Sequence, residues 1–235
     1  LIKPIFFNKK KLVMRPKNMA LSNKKIVKLL PKSFFSIKNQ IKSLEKKYQF
    51  SKFMPYGKHS INNADIEEVK KTLKSNFITQ GPKIKEFEEK VAKLVGSKYA
   101  VAVSSASAGL HLSSLALNLK KGDTMITSPI TFVSSANAAL HCGAKVEFSD
   151  IDIETINLSY EKLKTRLKKN KKIKLVMPVH FSGLPCNMKK IHLLKKKYNF
   201  EIIEDASHAL GAKYFSGEKV GSCKYSIATV FSFHP

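Results

Sequence analysis

The sequence predicts an α/β fold, a three-layer α/β/α arrangement in which a mixed, mostly parallel sheet lies between two layers of helices. From residue 54 onward, short apolar runs alternate with helical patterns of about 10 to 14 residues. The apolar runs are continuous rather than alternating with polar residues, which is typical of strands covered on both faces. With 235 residues, of which 43% are hydrophobic, the chain is large enough for one substantial core.

The individual elements follow from local signals. The stretch "NNADIEEVKKTLKS" predicts a helix with early acids and late lysines, which suits the helix dipole. A second helix, "GPKIKEFEEKVAKLVG", starts near Pro82 and ends at Gly96. Six strands are then predicted, in "YAVAV", "DTMITSP", "AKVEFSDI", "IKLVMPVH", "FEIIEDAS" and "IATVFSF". Helices are predicted between them, in "SASAGLHLSSLALNL", "TFVSSANAALHCG", "SYEKLKTRLKK" and "NMKKIHLLKKKY", and a hairpin turn is predicted at Ser216 and Gly217.

Residues 1–53 differ in composition from the rest of the chain. They contain 15 of the 43 Lys and Arg residues and a single acid, Glu45, and the prolines at positions 4, 16 and 31 interrupt any long periodic pattern. We interpret them as a basic, poorly ordered N-terminal extension, either a transit peptide or a leader translated upstream of the true start. Residues 54–235 form the predicted α/β domain.

The formal net charge of +26 raises the question of a nucleic-acid partner. Only Arg15 and Arg166 are arginines, and arginine is the residue best suited to reading phosphates and base edges. The lysines instead follow patterns typical of solvated helix faces. We therefore predict no specific nucleic-acid partner, only weak adhesion to polyanions.

The cysteines and the hydropathy pattern indicate the compartment of the protein and argue against a membrane span. The chain has three cysteines, Cys142, Cys186 and Cys223, without a CxxC pair, which favours a reducing compartment and indicates a cytoplasmic protein. No stretch approaches the roughly 18 consecutive apolar residues of a membrane helix. His180 and Cys186 are two residues of the types that bind zinc, but the sequence offers no second pair of ligands to complete a site, so no metal site is predicted.

Two predicted strand ends offer groups for an anion. Ligands of open α/β sheets bind at the carboxyl ends of the strands. In "VSSASAGLH", small residues lead into a helix whose N-terminus favours a phosphate, and Ser107 adds a hydroxyl. Ser232 in "FSFHP" follows another strand. The alternative is that these small residues only pack a tight turn.

Two other strand ends offer an aromatic ring and a carboxylate. Phe132 follows one strand and either stacks on a planar ring or packs in the core. Asp205 ends another strand, with His208 three residues later, and a buried carboxylate there calls for a cation or donors. Its alternative role is to cap the next turn. Taken together, the four strand ends provide the groups that hold pyridoxal phosphate.

From Met54 onward the chain resembles the DegT/DnrJ/StrS family of pyridoxal-phosphate-dependent nucleotide-sugar aminotransferases. The stretches that carry the resemblance are "FITQGPKIKEFEEKVAKLVGSKYAVAVSSASAGLHL", "ITFVSSANAALHCGAKVEFSDID", "MPVHFSGLPCNM", "IIEDASHALGAKY" and "IATVFSFHP". The resemblance implies the major domain of fold type I, the aspartate-aminotransferase-like fold, and covers about the first half of a typical member.

The resemblance also implies the role of each site residue. Ser107 and Ala108 would hold the cofactor phosphate, Ser232 would add a phosphate contact, Phe132 would stack on the pyridine ring, Asp205 would pair with the ring nitrogen, and His208 would hydrogen-bond the ring oxygen. The chain looks most like members that aminate a UDP-linked keto-hexose at C4 on the way to pseudaminic acid, with glutamate as amino donor. The resemblance also implies a homodimer for the full-length protein.

The resemblance places the catalytic lysine outside the sequence. In the family, "FSFHPVK" or a close variant carries the lysine that forms the Schiff base, and that register puts it two residues beyond Pro235. The implication is a truncated domain that does not transaminate by itself. Two alternatives stay open: a sugar dehydratase of the same family, which has His in place of that lysine, and an inactive truncated product.

Overall fold

A computed structural model of the chain describes residues 59–234. The predicted N-terminal extension, residues 1–53, lies outside the described residues. Within them, helices and strands follow one another as α1 (Asn63–Leu73), α2 (Pro82–Val95), α3 (Ala106–Ala116), β1 (Thr124–Thr127), α4 (Val133–His141), β2 (Lys145–Phe148), α5 (Tyr160–Lys169), β3 (Ile173–Met177), a 3-10 turn (Phe181–Gly183), α6 (Met188–Tyr198), β4 (Glu201–Asp205) and β5 (Ala228–Val230). The predicted α/β class is confirmed.

The five strands form one sheet in the order β2-β1-β3-β4-β5. Every pairing in it is parallel. Parallel strands are joined by crossover connections. Helix α4 forms the connection from β1 to β2, α5 that from β2 to β3, and α6 that from β3 to β4. All five carboxyl ends therefore meet at one edge of the sheet, which brings the predicted site residues to the same side of the molecule.

Helices cover the sheet on both faces. On one face, α3 and α4 pack with Leu110 and Ala138 against the strand residues Met125, Leu175 and Ile203. On the other, α5 and α6 pack against the alternate strand residues, and the buried side chains there include Leu163, Ile191, Ile126, Val176 and Ile202. Successive strand residues point to opposite faces, so both faces of a continuous apolar strand are buried.

The predicted strand "YAVAV" at residues 99–103 was wrong. This stretch is not part of the sheet, and the side chains of Tyr99 and Val101 are 74% and 79% exposed. No described strand lies beside it, and the backbone N–H of Ala102 donates instead to Glu88 Oε1 at 2.8 Å. The prediction of a turn at Gly217 is confirmed by the antiparallel bridge between Lys213 and Lys219 and by the positive φ of Gly217.

Helix α3 lies close to β5. A side chain on Gly109 would place its Cβ 3.0 Å from Val230 Cγ1. The small residue at this position therefore serves packing, which is the alternative reading of the small-residue stretch "SSASAG". Within residues 59–234, no helix combines the length and apolar character that a membrane span requires.

We expect Leu110→Ala to lower the free energy of unfolding by about 2–5 kcal/mol. Leu110 is 1% exposed and packs in the core between α3 and the sheet. Leu112→Ala, on the same helix but 51% exposed, is the matched control and should change stability by less than about 0.5 kcal/mol. Urea unfolding of both variants checks the prediction, and equal losses would contradict the assignment of this core.

Candidate functional site

The N-terminus of α3 presents the first group of site residues. Ser105 caps the helix, and its Oγ accepts the backbone N–H of Ala108 at 3.1 Å. Ser107 is exposed, with its Oγ 2.6 Å from Ser134 Oγ. The helix dipole and the first-turn N–H groups favour an anion here. An anion bound at this end would share the N–H of Ala108 with the cap.

The first turn of α4 presents an aromatic ring. Phe132 is the N-cap residue of α4, in extended conformation, and its side chain is 74% exposed. The alternative of a core role for Phe132 is therefore excluded by its exposure. A phenyl ring held at the sheet edge with this exposure is able to stack on a planar ligand ring.

Asp205 ends β4 as a buried carboxylate. It is 4% exposed. Ser135 donates its hydroxyl to Asp205 Oδ2 at 2.6 Å, and Ser207 donates its hydroxyl and its backbone N–H to Oδ1 at 2.7 and 3.2 Å. These donors are all neutral, so the buried carboxylate has hydrogen-bond partners but no cation among them. A protonated ligand nitrogen would supply the missing positive charge.

One helix turn brings these groups together. Phe132 caps α4, Ser134 contacts Ser107 at the start of α3, and Ser135 contacts Asp205. An anion site, an exposed ring and a buried carboxylate thus lie around the first turn of a single helix.

Ser232 and His208 flank this group. Val230 is the strand partner of Asp205, and Ser232 follows it by two residues at the same sheet edge. Ser232 Oγ accepts the backbone N–H of His234 at 3.3 Å, which leaves its own proton for a ligand. His208 lies on the turn after β4 with an exposed side chain, outside the hydrogen-bonded group of Asp205.

A pocket of about 230 Å³ extends along the groove between α3 and α4. Its lining consists of Ser107, Ala108, His111, Ser134, Asn137 and His141. The first two of these were predicted as phosphate ligands, so the pocket adjoins the predicted phosphate position.

Sequence reasoning missed Ser134 and Ser135. Both lie in "FVSSAN", two and three residues after the predicted stacking residue, and small polar residues in the first turn of a helix after a strand end are a usable signal for a ligand site. Their partners, Ser107 and Asp205, are 27 and 70 residues away along the chain, so the pairing itself follows only from the fold.

His180 and Cys186 do not form a metal site. His180 Nδ1 accepts the backbone N–H of Cys186 at 3.1 Å, and Nε2 lies 2.7 Å from Glu204 Oε2. Cys186 Sγ donates to the carbonyl of Val179. Both ring nitrogens are thus occupied within the fold. Across the described part of the chain, no group of three or more His, Cys, Asp or Glu residues is arranged to bind a metal ion.

Comparison with known proteins identifies the family of this site. The model of the DegT/DnrJ/EryC1/StrS aminotransferase family matches residues 59–235. Among curated proteins, UDP-4-amino-4,6-dideoxy-N-acetyl-beta-L-altrosamine transaminase of Campylobacter jejuni is 44% identical over 181 residues, which cover 77% of this chain and 47% of the relative. The chain spans about half the length of the curated relatives it matches.

Solved structures agree with this comparison. PseC of Helicobacter pylori, an aminotransferase involved in the biosynthesis of pseudoaminic acid, matches with a TM-score of 0.70 and 30% identity over 78% of this chain and 48% of that chain. Spr1654 of Streptococcus pneumoniae in its PLP form matches with a TM-score of 0.70 and 30% identity over 77% of this chain and 49% of that chain, and it was also solved in a PMP form.

Proposed function

Because the chain belongs to the DegT/DnrJ/EryC1/StrS aminotransferase family, we propose that residues 59–234 hold pyridoxal 5'-phosphate at the carboxyl edge of the sheet. The observation that carries the proposal is the first turn of α4, which joins the start of α3, the exposed ring of Phe132 and the buried carboxylate of Asp205. Solved relatives with PLP and PMP support it.

The residues present fit each part of the cofactor. We assign the phosphate to the N-terminus of α3, with Ser107, Ala108 and Ser232 as its ligands. Phe132 stacks on the pyridine ring, and Asp205 meets the ring nitrogen. His208, exposed on the turn after β4, would hydrogen-bond the ring oxygen. The buried carboxylate, whose hydrogen-bond donors among the described residues are all neutral, is the strongest fit, since a protonated ring nitrogen completes it.

Each residue contributes binding, orientation or a fixed proton. Bound pyridoxal phosphate supplies an electron sink for breaking a bond beside the amino nitrogen. Asp205 keeps a proton on the ring nitrogen, because its negative charge favours the protonated ring. Ser135 and Ser207 hold the two oxygens of Asp205 in a fixed orientation. Phe132 keeps one face of the ring out of water.

For the substrate, we propose a nucleotide-linked keto-sugar, aminated at C4 of a UDP-keto-hexose with glutamate as donor. This proposal rests on the Campylobacter relative named as a UDP-amino-sugar transaminase and on PseC. The product would enter polysaccharide or nonulosonic acid synthesis. The lysine that the family register places two residues beyond Pro235 is the proposed proton carrier.

We also propose that the working enzyme is a homodimer. Helix α1 buries none of its residues within the described structure, and Ile66, Val69 and Leu73 lie at helical spacing and are 43%, 59% and 61% exposed. A second copy that covers this face would remove apolar surface from water. Light scattering should give twice the monomer mass, and a monomer at every concentration would contradict the proposal.

The first experiment is a binding titration with pyridoxamine 5'-phosphate, abbreviated PMP. PMP lacks the aldehyde of pyridoxal phosphate, so it does not react with the lysines that make up all but two of the 43 cations. Pyridoxamine and inorganic phosphate are the controls for ring and phosphate alone. Saturable binding of PMP that persists in 0.3 M salt, where the Debye length is about 6 Å, supports the site. Binding that this salt concentration abolishes would indicate surface adhesion only.

Phe132→Ala should weaken PMP binding about tenfold, through the loss of ring stacking. Stability should change by less than about 0.5 kcal/mol, since the side chain is 74% exposed. Phe215→Ala, on the hairpin and 77% exposed, is the matched control and should bind PMP like the unaltered protein. Equal affinities of the two variants would contradict the stacking role.

The activity test uses a polypeptide that joins these residues to the family's lysine. It should convert more than one equivalent of glutamate per enzyme to 2-oxoglutarate only when a UDP-linked 4-keto-hexose is present to accept the amino group. A dehydrated sugar as product, without 2-oxoglutarate, would replace transamination by dehydration. PMP binding without any reaction would contradict the proposed activity and leave the cofactor site intact.

A further inference from the structure

Behind Asp205, on the opposite face of the sheet, lies a second buried carboxylate. Glu204 precedes Asp205 on β4, so the two side chains point to opposite faces. Asp205 faces α4, whereas Glu204 faces the layer that contains the hairpin residue Tyr214. The side chain of Glu204 is 0% exposed.

Donors from three other segments surround the Glu204 carboxylate. Tyr214 lies 2.9 and 2.8 Å from its two oxygens, Thr229 lies 3.3 Å from Oε1, and Ser226 makes a short hydrogen bond to Oε1. His180 Nε2 lies 2.7 Å from Oε2. Burial raises the pKa of Tyr214 well above its usual value, and the Glu204 carboxylate acts in the same direction, so the phenol stays a donor. A buried carboxylate keeps its charge only with donors such as these.

The His180 segment links this cluster to the backbone of Asp205. Because His180 Nδ1 accepts the N–H of Cys186, a neutral ring carries its proton on Nε2 and donates it to Glu204. The backbone N–H of His180 donates to the carbonyl of Asp205 at 3.0 Å, and the N–H of Asp205 donates to the carbonyl of Pro178 at 2.9 Å. Residues 178–180 therefore hold Asp205 by its backbone and Glu204 by its side chain.

We propose that Glu204 is a positioning residue, which fixes the end of β4 so that the Asp205 carboxylate points at the pyridine nitrogen. This inference rests on the proposed function of Asp205. Glu204 touches no ligand itself. Its side chain binds the β3–α6 connection, the hairpin and the segment before β5. The backbone at the end of β4 is also held from the β5 side, since the N–H of Ala206 donates to the carbonyl of Val230.

The test measures the ring pKa of bound PMP by ultraviolet absorption as the pH is varied, in Glu204→Gln. The glutamine amide cannot accept all the donors that the carboxylate accepts. We expect the ring pKa to fall by about one unit and the affinity for PMP to fall about tenfold. Tyr214→Phe, which keeps the carboxylate and removes one donor, should give a smaller shift in the same direction and carries the test if Glu204→Gln does not fold.

The control separates positioning from stability. Leu194→Ala removes a buried side chain, 4% exposed, from the core on the same face as Glu204 and leaves every hydrogen-bond donor to Glu204 in place. It should lower the thermal midpoint and leave the ring pKa unchanged. An unchanged ring pKa in folded Glu204→Gln and Tyr214→Phe overturns the positioning role. If Asp205→Asn shifts the ring pKa and these variants do not, only this inference fails. If Asp205→Asn has no effect either, the proposed function of Asp205 fails with it.

Discussion

Replacement of Asp205 by asparagine should lower the pKa of the ring nitrogen of bound PMP by about 1–3 units. The carboxylate favours the protonated ring, and the neutral amide does not, so the variant loses the ring proton at a lower pH than the unaltered protein. PMP affinity should fall about 10- to 100-fold, the size expected for a lost hydrogen bond between charged groups. In a polypeptide that includes the family's lysine, turnover should be nearly abolished.

Asp150→Asn is the matched control for this prediction. Asp150 also follows a strand at the carboxyl edge, but it is exposed and its Oδ1 accepts its neighbour's N–H, that of Ile151. It lies beyond β2, at the far end of the sheet from Asp205. This variant should bind PMP with the ring pKa unchanged. Normal ring protonation in Asp205→Asn would exclude Asp205 as the partner of the ring nitrogen.

Gly183→Ala should lower the free energy of unfolding by about 2–4 kcal/mol. Gly183 has φ +84°, and a Cβ there would lie 2.9 Å from the carbonyl oxygen of His208. That oxygen belongs to the backbone, so the turn that carries His208 must shift. PMP affinity should fall as well, because the turn that carries His208 follows directly after Asp205 at the end of β4. Urea unfolding and PMP titration measure the two effects.

Gly211→Ala provides a control with nearly the same backbone strain. Gly211 has φ +85°, but a Cβ there meets nothing within 4 Å. This variant should lose only about 1–2 kcal/mol, the cost of a positive φ for a residue with a side chain. The difference between the two variants isolates the clash with His208. Equal losses would show that the close approach of the 3-10 turn to His208 has no energetic weight.

The sequence was sufficient to predict most of the sheet and the edge at which most of the candidate site residues lie. Strands such as β3 and β4 are apolar on both faces, and parallel topology sends their carboxyl ends to one edge. That rule predicted that Phe132 and Asp205 lie near one another. Ser107 also joins them, through its contact with Ser134, although the strand predicted before it is absent from the described sheet. The strand prediction at "YAVAV" failed because an apolar run becomes a strand only where another strand is present to pair with its backbone.

The contacts within the site were beyond sequence reasoning. Whether Ser134 meets Ser107 and Ser135 meets Asp205 depends on how α4 is rotated against its neighbours, and helical spacing does not fix that rotation. The hydrogen bonds of Glu204 are even less predictable from the sequence, because their donors lie 10 to 25 residues away in separate segments. Strand alternation predicts that Glu204 and Asp205 point to opposite faces, but only the folded structure shows which groups meet each of them.

A crystal structure of the protein with PMP tests the central claim most directly. The account predicts the phosphate at the N-terminus of α3, within hydrogen-bond distance of Ser107, and the ring against Phe132. It predicts the ring nitrogen about 3 Å from an oxygen of Asp205. PMP bound against surface lysines, or at the sheet edge with its ring nitrogen away from Asp205, would contradict the account.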